Sequence, residues 1–330
     1  MDKIEARYYD KLENANVRCH LCPVNCHIAP SKQGICGIRT NENGTLYAAE
    51  YGRTIALNID PIEKKPLYHF KPGSAILSVG PNGCNFSCVY CQNWTISQAK
   101  AGVRYISPEN LVRLAITNKS IGVAFTYTEP LIWYEYIFDS ARLLRDSGLK
   151  SVLVSNAYIN KAPARELFPL VDAANFDLKS IRPDFYRTTC KGKLDDVKRT
   201  IEISLEFGVH LELTNLLITG LNDSDDDILD LISYVESLDK KIPLHFSRYF
   251  PHYKLDSPPT PEERLEFAYK AGKEKLSYVF VGNISGIGSS DSSCSQCGNT
   301  LVKREGYLVD IIGMEGGKCS KCGTLSDIVV

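Results

Sequence analysis

The sequence lacks an excess of charge of either sign, and it lacks a long apolar segment. Its 38 Lys and Arg residues are balanced by 39 Asp and Glu residues, so the formal net charge is −1. Such a chain has no strong overall field to draw it to nucleic acid or to an anionic membrane. No apolar run approaches the ~18–20 residues that a membrane-spanning helix needs. Residues 1–18 are charged throughout, without the apolar core of a signal peptide. We therefore expect a cytoplasmic protein with no membrane partner.

Cysteine is too scarce for a disulfide scaffold, which needs roughly 8–10% of this residue, but its placement is unusual. The chain has 12 cysteines in 330 residues, and all except Cys190 fall into three short groups. Short spacings bring several thiolates to one point, which metals require and disulfides do not. We therefore expect metal sites in a reducing compartment. The groups are Cys19, Cys22, Cys26 and Cys36; Cys84, Cys88 and Cys91; and Cys294, Cys297, Cys319 and Cys322.

The central part of the chain alternates short β-branched runs with amphipathic stretches. Short apolar strands that are each followed by a helix predict parallel β–α units, with the strands covered on both faces. Six such units favour a partial (β/α)6 TIM-type barrel of the α/β class, although a doubly wound open sheet has the same local pattern. The predicted strands are residues 75–80, 122–126, 151–155, 173–178, 210–217 and 243–246.

Changes in composition divide the chain into three predicted parts. Residues 1–73 form a cysteine-rich N-terminal segment, and residues 74–282 form the α/β barrel. A Gly/Ser-rich linker then begins at residue 283 and leads into a small C-terminal zinc ribbon that ends at residue 330.

The central cysteines follow the first predicted strand in the run GPNGCNFSCVYCQNW. Three thiolates on one loop can bind three irons of a [4Fe–4S] cluster and leave the fourth iron open to a ligand. The loop leaves the carboxyl end of a strand, which is the functional face of an α/β barrel. Gly80 and Gly83 would allow the backbone to approach a cluster closely. The alternative is a zinc site completed by His69 or His245.

The run CNFSCVYC resembles the C-x3-C-x-aromatic-C signature of the radical S-adenosylmethionine (SAM) superfamily, with Tyr90 as the aromatic residue. The resemblance implies that SAM binds the open iron and is cleaved to a 5′-deoxyadenosyl radical, which abstracts hydrogen from a substrate. It implies oxidoreductase or lyase-type chemistry and an external electron donor, a ferredoxin or a flavodoxin. Neither the catalytic residues nor the substrate is identified by it.

Further motifs match the superfamily in order along the chain. AFTYTEP (residues 124–130) resembles the second-strand motif that holds the SAM amino group, with Thr-Tyr-Thr in place of glycines. A Ser-Asn pair resembles the third-strand motif near the ribose, and FDLK (176–179) is similar to a motif of pyruvate formate-lyase activating enzymes. Carboxylates suit the ammonium of SAM, and a lysine suits its carboxylate. The predicted SAM-binding residues are Tyr90, Thr126, Thr128, Glu129, Ser155, Asn156, Asp177 and Lys179.

One branch, the radical SAM enzymes of the AmmeMemoRadiSam system, resembles the chain over roughly residues 5–290. The shared segments are RCHLCPVNC (18–26), IDPIEKKPLYHF (59–70), CQNW (91–94) and WYEY (133–136). This resemblance implies Memo-like and Ammecr-like proteins as partners. The similarity to the activating enzymes suggests activase-like chemistry on a protein backbone glycine, and the alternative is a modification enzyme that acts on a small molecule or on another protein residue.

The two flanking cysteine groups are predicted to bind metal. Cys294, Cys297, Cys319 and Cys322 form two C-x2-C pairs, each followed by glycine, which is typical of a structural zinc ribbon. Cys19, Cys22, Cys26 and Cys36 suit either a structural zinc or a second iron–sulfur cluster. Cys190 is expected to be an inert thiol.

Two functions from other classes compete with a radical enzyme. An iron–sulfur electron carrier does not need six β–α units or an iron without a cysteine ligand. A zinc-ribbon nucleic-acid-binding protein should carry basic stripes, which a balanced chain does not provide. We therefore expect an enzyme and no nucleic-acid partner.

Overall fold

The computed structural model describes residues 3–330, so the first two residues of the predicted N-terminal segment lie outside the described residues. The strands are β1 (Tyr9–Lys11), β2 (Val17–Cys19), β3 (His27–Ile28), β4 (Arg39–Glu42), β5 (Thr45–Ala48), β6 (Arg53–Thr54), β7 (Ala56–Pro61), β8 (Ala75–Gly80), β9 (Arg104–Tyr105), β10 (Gly122–Phe125), β11 (Lys150–Ser155), β12 (Ala173–Asp177), β13 (His210–Leu217), β14 (Leu244–Arg248), β15 (Val279–Gly282), β16 (Ser292–Ser293), β17 (Thr300–Glu305), β18 (Leu308–Ile311), β19 (Met314–Glu315) and β20 (Lys318–Cys319). The helices are α1 (Trp94–Ser97), α2 (Pro108–Thr117), α3 (Tyr134–Asp146), α4 (Lys161–Leu167), α5 (Pro183–Phe185), α6 (Leu194–Glu206), α7 (Asp225–Leu238) and α8 (Glu262–Lys275).

An eight-stranded sheet forms the centre of the molecule, in the order β15-β14-β13-β12-β11-β10-β8-β7. Seven of these strands are parallel, and β7 alone runs antiparallel to its neighbour β8. The α/β class and the six predicted strands are therefore confirmed. Within residues 3–330 no strand pairing joins β15 to β7, so the sheet is a mostly parallel series rather than a closed hydrogen-bonded ring.

Two strands of this sheet were not predicted. β15 adds a seventh parallel strand beside β14, and β7 extends the other edge from within the predicted N-terminal segment. Both were missed for a physical reason: β15 ends in glycine and runs directly into the Gly/Ser-rich segment, and in β7 the adjacent residues Asn58 and Ile59 are both exposed, which breaks the alternation of a half-buried strand. The limits at residues 73 and 282 stay a prediction, but the sheet begins before the first of them.

Local sequence signals explain where several helices begin and end. The Ser107 hydroxyl accepts from the Asn110 amide at 3.3 Å, and Ser224 caps α7 in the same way at 3.2 Å. Gly148 and Gly208 follow α3 and α6 with φ of +71° and +70°, the left-handed conformation that ends a helix.

The amino ends of the parallel strands are closed by two other parts of the chain. Residues 62–70 place Ile62, Leu67 and Phe70 against the first residues of the strands. The C-terminal ribbon packs on the outer side of residues 62–70, which we call the plug. Arg304 donates to the Tyr68 carbonyl at 2.5 Å, and the Val329 amide donates to the His69 carbonyl at 2.8 Å. The carboxyl ends of the strands are therefore the open end of the sheet. None of the helices in residues 3–330 has the length and apolar character to cross a bilayer.

Candidate active site

A cavity of about 240 Å³ opens at the carboxyl ends of the parallel strands. Cys84, Cys88 and Cys91 line it together, on the loop of residues 81–93 that leaves β8, which we call the cluster loop. The order of strand and loop explains this placement, because the carboxyl ends of parallel strands meet at one edge of a sheet. The predicted convergence of the three cysteines on this face is found.

Two glycines let the cluster loop pack closely against neighbouring protein backbone. A Cβ at Gly80 would lie 2.1 Å from the Thr126 carbonyl oxygen, and one at Gly83 would lie 2.1 Å from the Cys36 carbonyl oxygen. Gly83 also has a φ of +84°. Both glycines thus make room for protein backbone, at the neighbouring strand loop and at the N-terminal segment, and the expectation that they also make room for a cluster stays a prediction.

Asn156 fixes the position of Cys84 from the loop after β11. Its side-chain amide donates to the Cys84 sulfur at 3.7 Å and to the Asn85 side chain at 2.9 Å. Asn85 in turn donates to the Tyr158 carbonyl at 2.7 Å. This network ties the first cysteine of the cluster loop to the third parallel strand.

Glu129 is fully buried beneath the cavity and does not line it. Its carboxylate accepts hydrogen bonds from the Ser155 hydroxyl at 2.7 Å and from the backbone N–H groups of Asn156 at 2.8 Å and Leu131 at 2.9 Å. Burial raises the pKa of Glu129 to about 7, against the lowering effect of these hydrogen bonds. In this arrangement Glu129 and Ser155 join the loops after β10 and β11. Thr126 is also buried and outside the lining.

Tyr127 stands where the family motif has glycine, and its backbone keeps the glycine-like conformation. Its φ is +77°, in the left-handed region that disfavours a bulky residue. The side chain turns toward β7, where the hydroxyl accepts from Asn58 at 3.1 Å and donates to Asp60 at 3.2 Å. The backbone thus adopts a conformation that favours glycine although the residue is tyrosine, and both Tyr127 and Thr128 line the cavity.

Asp177 and Lys179 follow β12 and place a carboxylate and an ammonium on the cavity wall, 2.9 Å apart. Burial lowers the pKa of Lys179, but attraction by Asp177 and Cys88 outweighs it and holds the pKa well above its usual value. The ammonium is thus charged at neutral pH. A zwitterionic amino acid would find an opposite charge for each of its termini here.

Of the eight predicted SAM-binding residues, five line this cavity: Tyr90, Thr128, Asn156, Asp177 and Lys179. Sequence reasoning missed Thr214, which lies within β13, Ser247 near the end of β14 and Asn283 directly after β15, all of which line the cavity. The rule that polar residues at the carboxyl ends of parallel strands face the site could have found Ser247 and Asn283. Cys190 is buried outside the lining, and its thiol lies 3.5 Å from the Tyr90 hydroxyl.

The three cavity cysteines fit an iron–sulfur cluster with one open iron. No fourth cysteine lines the cavity, and neither His69 nor His245 does, so the alternative zinc site completed by one of these histidines is not found. Burial raises the pKa of the Cys84 thiol well above its usual value, so a thiolate at this position needs adjacent cations. Bound irons would supply them.

The cysteines of the C-terminal ribbon form a much tighter group. The sulfurs of Cys294 and Cys322 are 3.7 Å apart, as are those of Cys297 and Cys319, and all four lie within 4.8 Å of one another. This predicted metal site is therefore assembled, and it lies at the opposite end of the sheet from the cavity. Cys19, Cys22, Cys26 and Cys36 converge on a separate small pocket, behind the cluster loop.

Several proteins are similar to the chain in sequence. The chain is 43% identical to an uncharacterized protein of Methanocaldococcus jannaschii over 99% of both chains. It is 25% identical to a pyruvate formate-lyase-activating enzyme of Clostridium pasteurianum over 47% of this chain and 67% of that one. It is also 25% identical to a GTP 3′,8-cyclase of Nautilia profundicola over 68% of this chain and 76% of that one.

Solved structures share the fold. A radical SAM methyltransferase from Sphaerobacter thermophilus superimposes with a TM-score of 0.51 at 16% identity, covering 66% of this chain and 69% of that one. Streptococcus suis SuiB bound to S-adenosylmethionine gives 0.51 at 13% identity, covering 64% of this chain and 52% of that one. The model of the radical SAM superfamily matches residues 79–235, a range that contains the cluster loop, Asn156 and Lys179. The chain therefore belongs to the radical SAM superfamily, and it is an enzyme.

Proposed function

We propose that Cys84, Cys88 and Cys91 hold a [4Fe–4S] cluster with which the enzyme cleaves SAM and removes a hydrogen atom from a substrate at the cavity mouth. The observation that carries the proposal is the convergence of these three cysteines on a cavity whose lining has no fourth cysteine. When bound, the cluster and SAM supply reductive cleavage of the sulfonium and the radical that abstracts hydrogen.

The side chains on the walls give each part of SAM a partner. Lys179 would bind the carboxylate, and Asp177 would bind the ammonium, since both line the cavity with charged groups. Asn156 would face the ribose while it holds Cys84. Glu129 and Ser155 would act indirectly, by fixing the loop that carries Asn156.

The substrate that the mouth favours is a segment of a protein, as in activase-like chemistry. Trp94 follows the lining residue Asn93, is 37% exposed, and stacks on Tyr253 with ring centroids 5.2 Å apart. An exposed aromatic pair beside an open cavity suits an extended peptide, which needs contact area outside the pocket. The similarity to a pyruvate formate-lyase-activating enzyme supports the same class of substrate.

Cysteine variants test the proposal. Replacing Cys84, Cys88 or Cys91 by Ala removes an iron ligand and should abolish formation of 5′-deoxyadenosine from SAM under anaerobic dithionite. Cys322→Ser, which alters only the ribbon, is the matched control and should retain the activity. Continued 5′-deoxyadenosine formation in any of the three cavity variants would overturn the proposal.

The remaining expectations about metals and partners are part of the same proposal. The ribbon cysteines would bind zinc, because their 3.7 Å sulfur separations suit a tetrahedral ion with Zn–S bonds of about 2.3 Å. A ferredoxin or a flavodoxin would supply electrons in the cytoplasm. Memo-like and Ammecr-like proteins would be partners, and co-elution of the purified proteins on a sizing column would test this.

A further inference from the structure

The four N-terminal cysteines surround a small apolar pocket. Cys19, Cys22 and Cys36 are buried, and Cys26 is half-buried. Apolar side chains close the pocket around them, among them Leu21 and Ile132, and the only charged side chain that lines it is Arg39. The four cysteines thus line one small pocket whose other walls are mostly apolar.

The spacing of these sulfurs differs from that of the ribbon. Zn–S bonds of about 2.3 Å place the sulfurs of a tetrahedral zinc site about 3.8 Å apart, which is the spacing found in the ribbon. Among residues 3–330, only the ribbon brings three or more potential ligand atoms within 4.8 Å of one another. The N-terminal sulfurs are spread more widely than zinc requires. The cavity cysteines Cys84, Cys88 and Cys91 share that wider spread.

A wider spread is what a cubane cluster requires. Each thiolate of a [4Fe–4S] cluster binds a different iron at a different corner, so the sulfurs stand apart with inorganic core between them. Four cysteines saturate all four corners and leave no open iron, unlike the three at the cavity. The two groups of cysteines would therefore hold clusters of the same kind with different coordination.

Arg39 supplies a charge and a hydrogen bond to this pocket. Its guanidinium is 1% exposed, donates to the Cys19 sulfur at 3.8 Å, and forms an ion pair with Glu135 at the start of α3. Hydrogen bonds to the sulfurs and burial are the features by which proteins set the reduction potential of such clusters.

The pocket also touches the active site directly. The Cys36 carbonyl packs on Gly83, the residue before Cys84. From the other side, Asn160 in the loop after β11 holds the Leu21 and His20 carbonyls at 3.0 and 2.8 Å. A redox centre placed here would lie behind the cluster loop, away from the cavity mouth.

We propose that Cys19, Cys22, Cys26 and Cys36 hold a second, fully cysteine-ligated [4Fe–4S] cluster, which passes one electron to the cluster at Cys84, Cys88 and Cys91. In that step the second cluster is oxidised as the first is reduced, and a low-potential ferredoxin or flavodoxin restores the electron. The transfer rests on the proposed function, whereas the identity of the metal centre does not.

The test uses the full chain with Cys84, Cys88 and Cys91 all replaced by Ala, reconstituted anaerobically with iron, sulfide and zinc. We expect about four irons and one zinc per chain. Reduction by dithionite should give an electron paramagnetic resonance signal that SAM does not alter, because every iron already has a cysteine ligand. Two zincs without iron, or about two irons as in a [2Fe–2S] centre, would overturn the assignment.

Single variants separate this proposal from the function of the cavity. Cys26→Ser, at the most exposed of the four positions, should shift the signal of the second cluster and slow SAM cleavage driven by flavodoxin several-fold. A single turnover started by dithionite should stay unchanged, and Cys322→Ser should lose zinc but no iron. An unchanged flavodoxin-driven rate would overturn the electron transfer. If the wild-type protein holds the second cluster but does not cleave SAM, the proposed function is overturned instead.

Discussion

The packing of Gly83 against Cys36 leads to a quantitative prediction about how the N-terminal segment is joined to the active site. In Gly83→Ala, the new Cβ would lie 2.1 Å from the Cys36 carbonyl oxygen and 3.2 Å from the Ile38 side chain. A backbone carbonyl cannot rotate away as a side chain would, so the two segments must separate. The residue also has a φ of +84°, which an alanine adopts at a cost.

The two costs can be separated by a control with the same backbone conformation. A left-handed φ costs a non-glycine residue about 1–2 kcal/mol, and overpacking adds about 1–3 kcal/mol. Gly83→Ala should therefore lower the free energy of unfolding by about 2–5 kcal/mol. In Gly148→Ala the φ is +71° but no atom lies within 4 Å of the added Cβ, so only the first cost applies.

Anaerobic urea unfolding of the two reconstituted variants and the wild type measures this difference. We expect a clearly lower midpoint for Gly83→Ala than for Gly148→Ala, together with loss of iron from the N-terminal cysteines as the segment lifts away. Equal midpoints for the two variants would refute the close contact between Cys36 and the cluster loop, and with it the route by which the two cysteine groups are held together.

Two further predictions concern buried charged and titratable side chains. Burial lowers the pKa of His69 to about 3, whereas in the unfolded chain the same side chain takes up a proton near pH 6.5. Below pH 6.5 the unfolded chain therefore binds a proton that the folded chain does not. The free energy of unfolding is at its full value above pH 6.5 and falls as the pH is lowered toward 3, by up to about 1.4 kcal/mol per pH unit. His69→Phe should flatten this part of the urea-midpoint profile while the exposed control His252→Gln should not; equal profiles would contradict this assignment. Arg39→Met leaves the Glu135 carboxylate buried without its ion-pair partner and should lower the free energy of unfolding by about 3–5 kcal/mol. The double variant Arg39→Met/Glu135→Gln should recover part of this loss. If urea unfolding shows no recovery, the broken ion pair is not the cause of the loss.

Local sequence patterns were enough to predict six of the seven parallel strands and the cavity cysteines. Each β–α unit has its own periodic pattern of apolar residues, and some helices have their own capping residue, such as Ser107 and Ser224. The loops that follow parallel strands all lie at the same edge of the sheet. The edge strands β7 and β15 could not be predicted in this way, because their identity depends on pairing with strands that the local pattern does not specify.

The roles of individual polar residues were harder to predict than their presence. Glu129 looks like a ligand for the SAM ammonium in the sequence, yet its oxygens are already occupied by Ser155 and by two backbone amides. Tyr127 looks like a departure from the glycine motif, yet it keeps the glycine conformation and directs its ring elsewhere. Both outcomes depend on contacts across strands, which a linear motif does not contain.

The positions of the two flanking cysteine groups imply different relations to catalysis. The ribbon contacts the plug at the amino ends of the strands, through Arg304 and Val329, and none of its cysteines reaches the cavity. The N-terminal group instead shares a backbone contact with the cluster loop through Cys36 and Gly83. The ribbon is joined to the cavity through the packed sheet and through the segment that begins at Asn283, whereas the N-terminal group packs on the residue next to Cys84. Metal loss from the ribbon should therefore lower stability before activity, and metal loss from the N-terminal group should lower stability and flavodoxin-driven activity together.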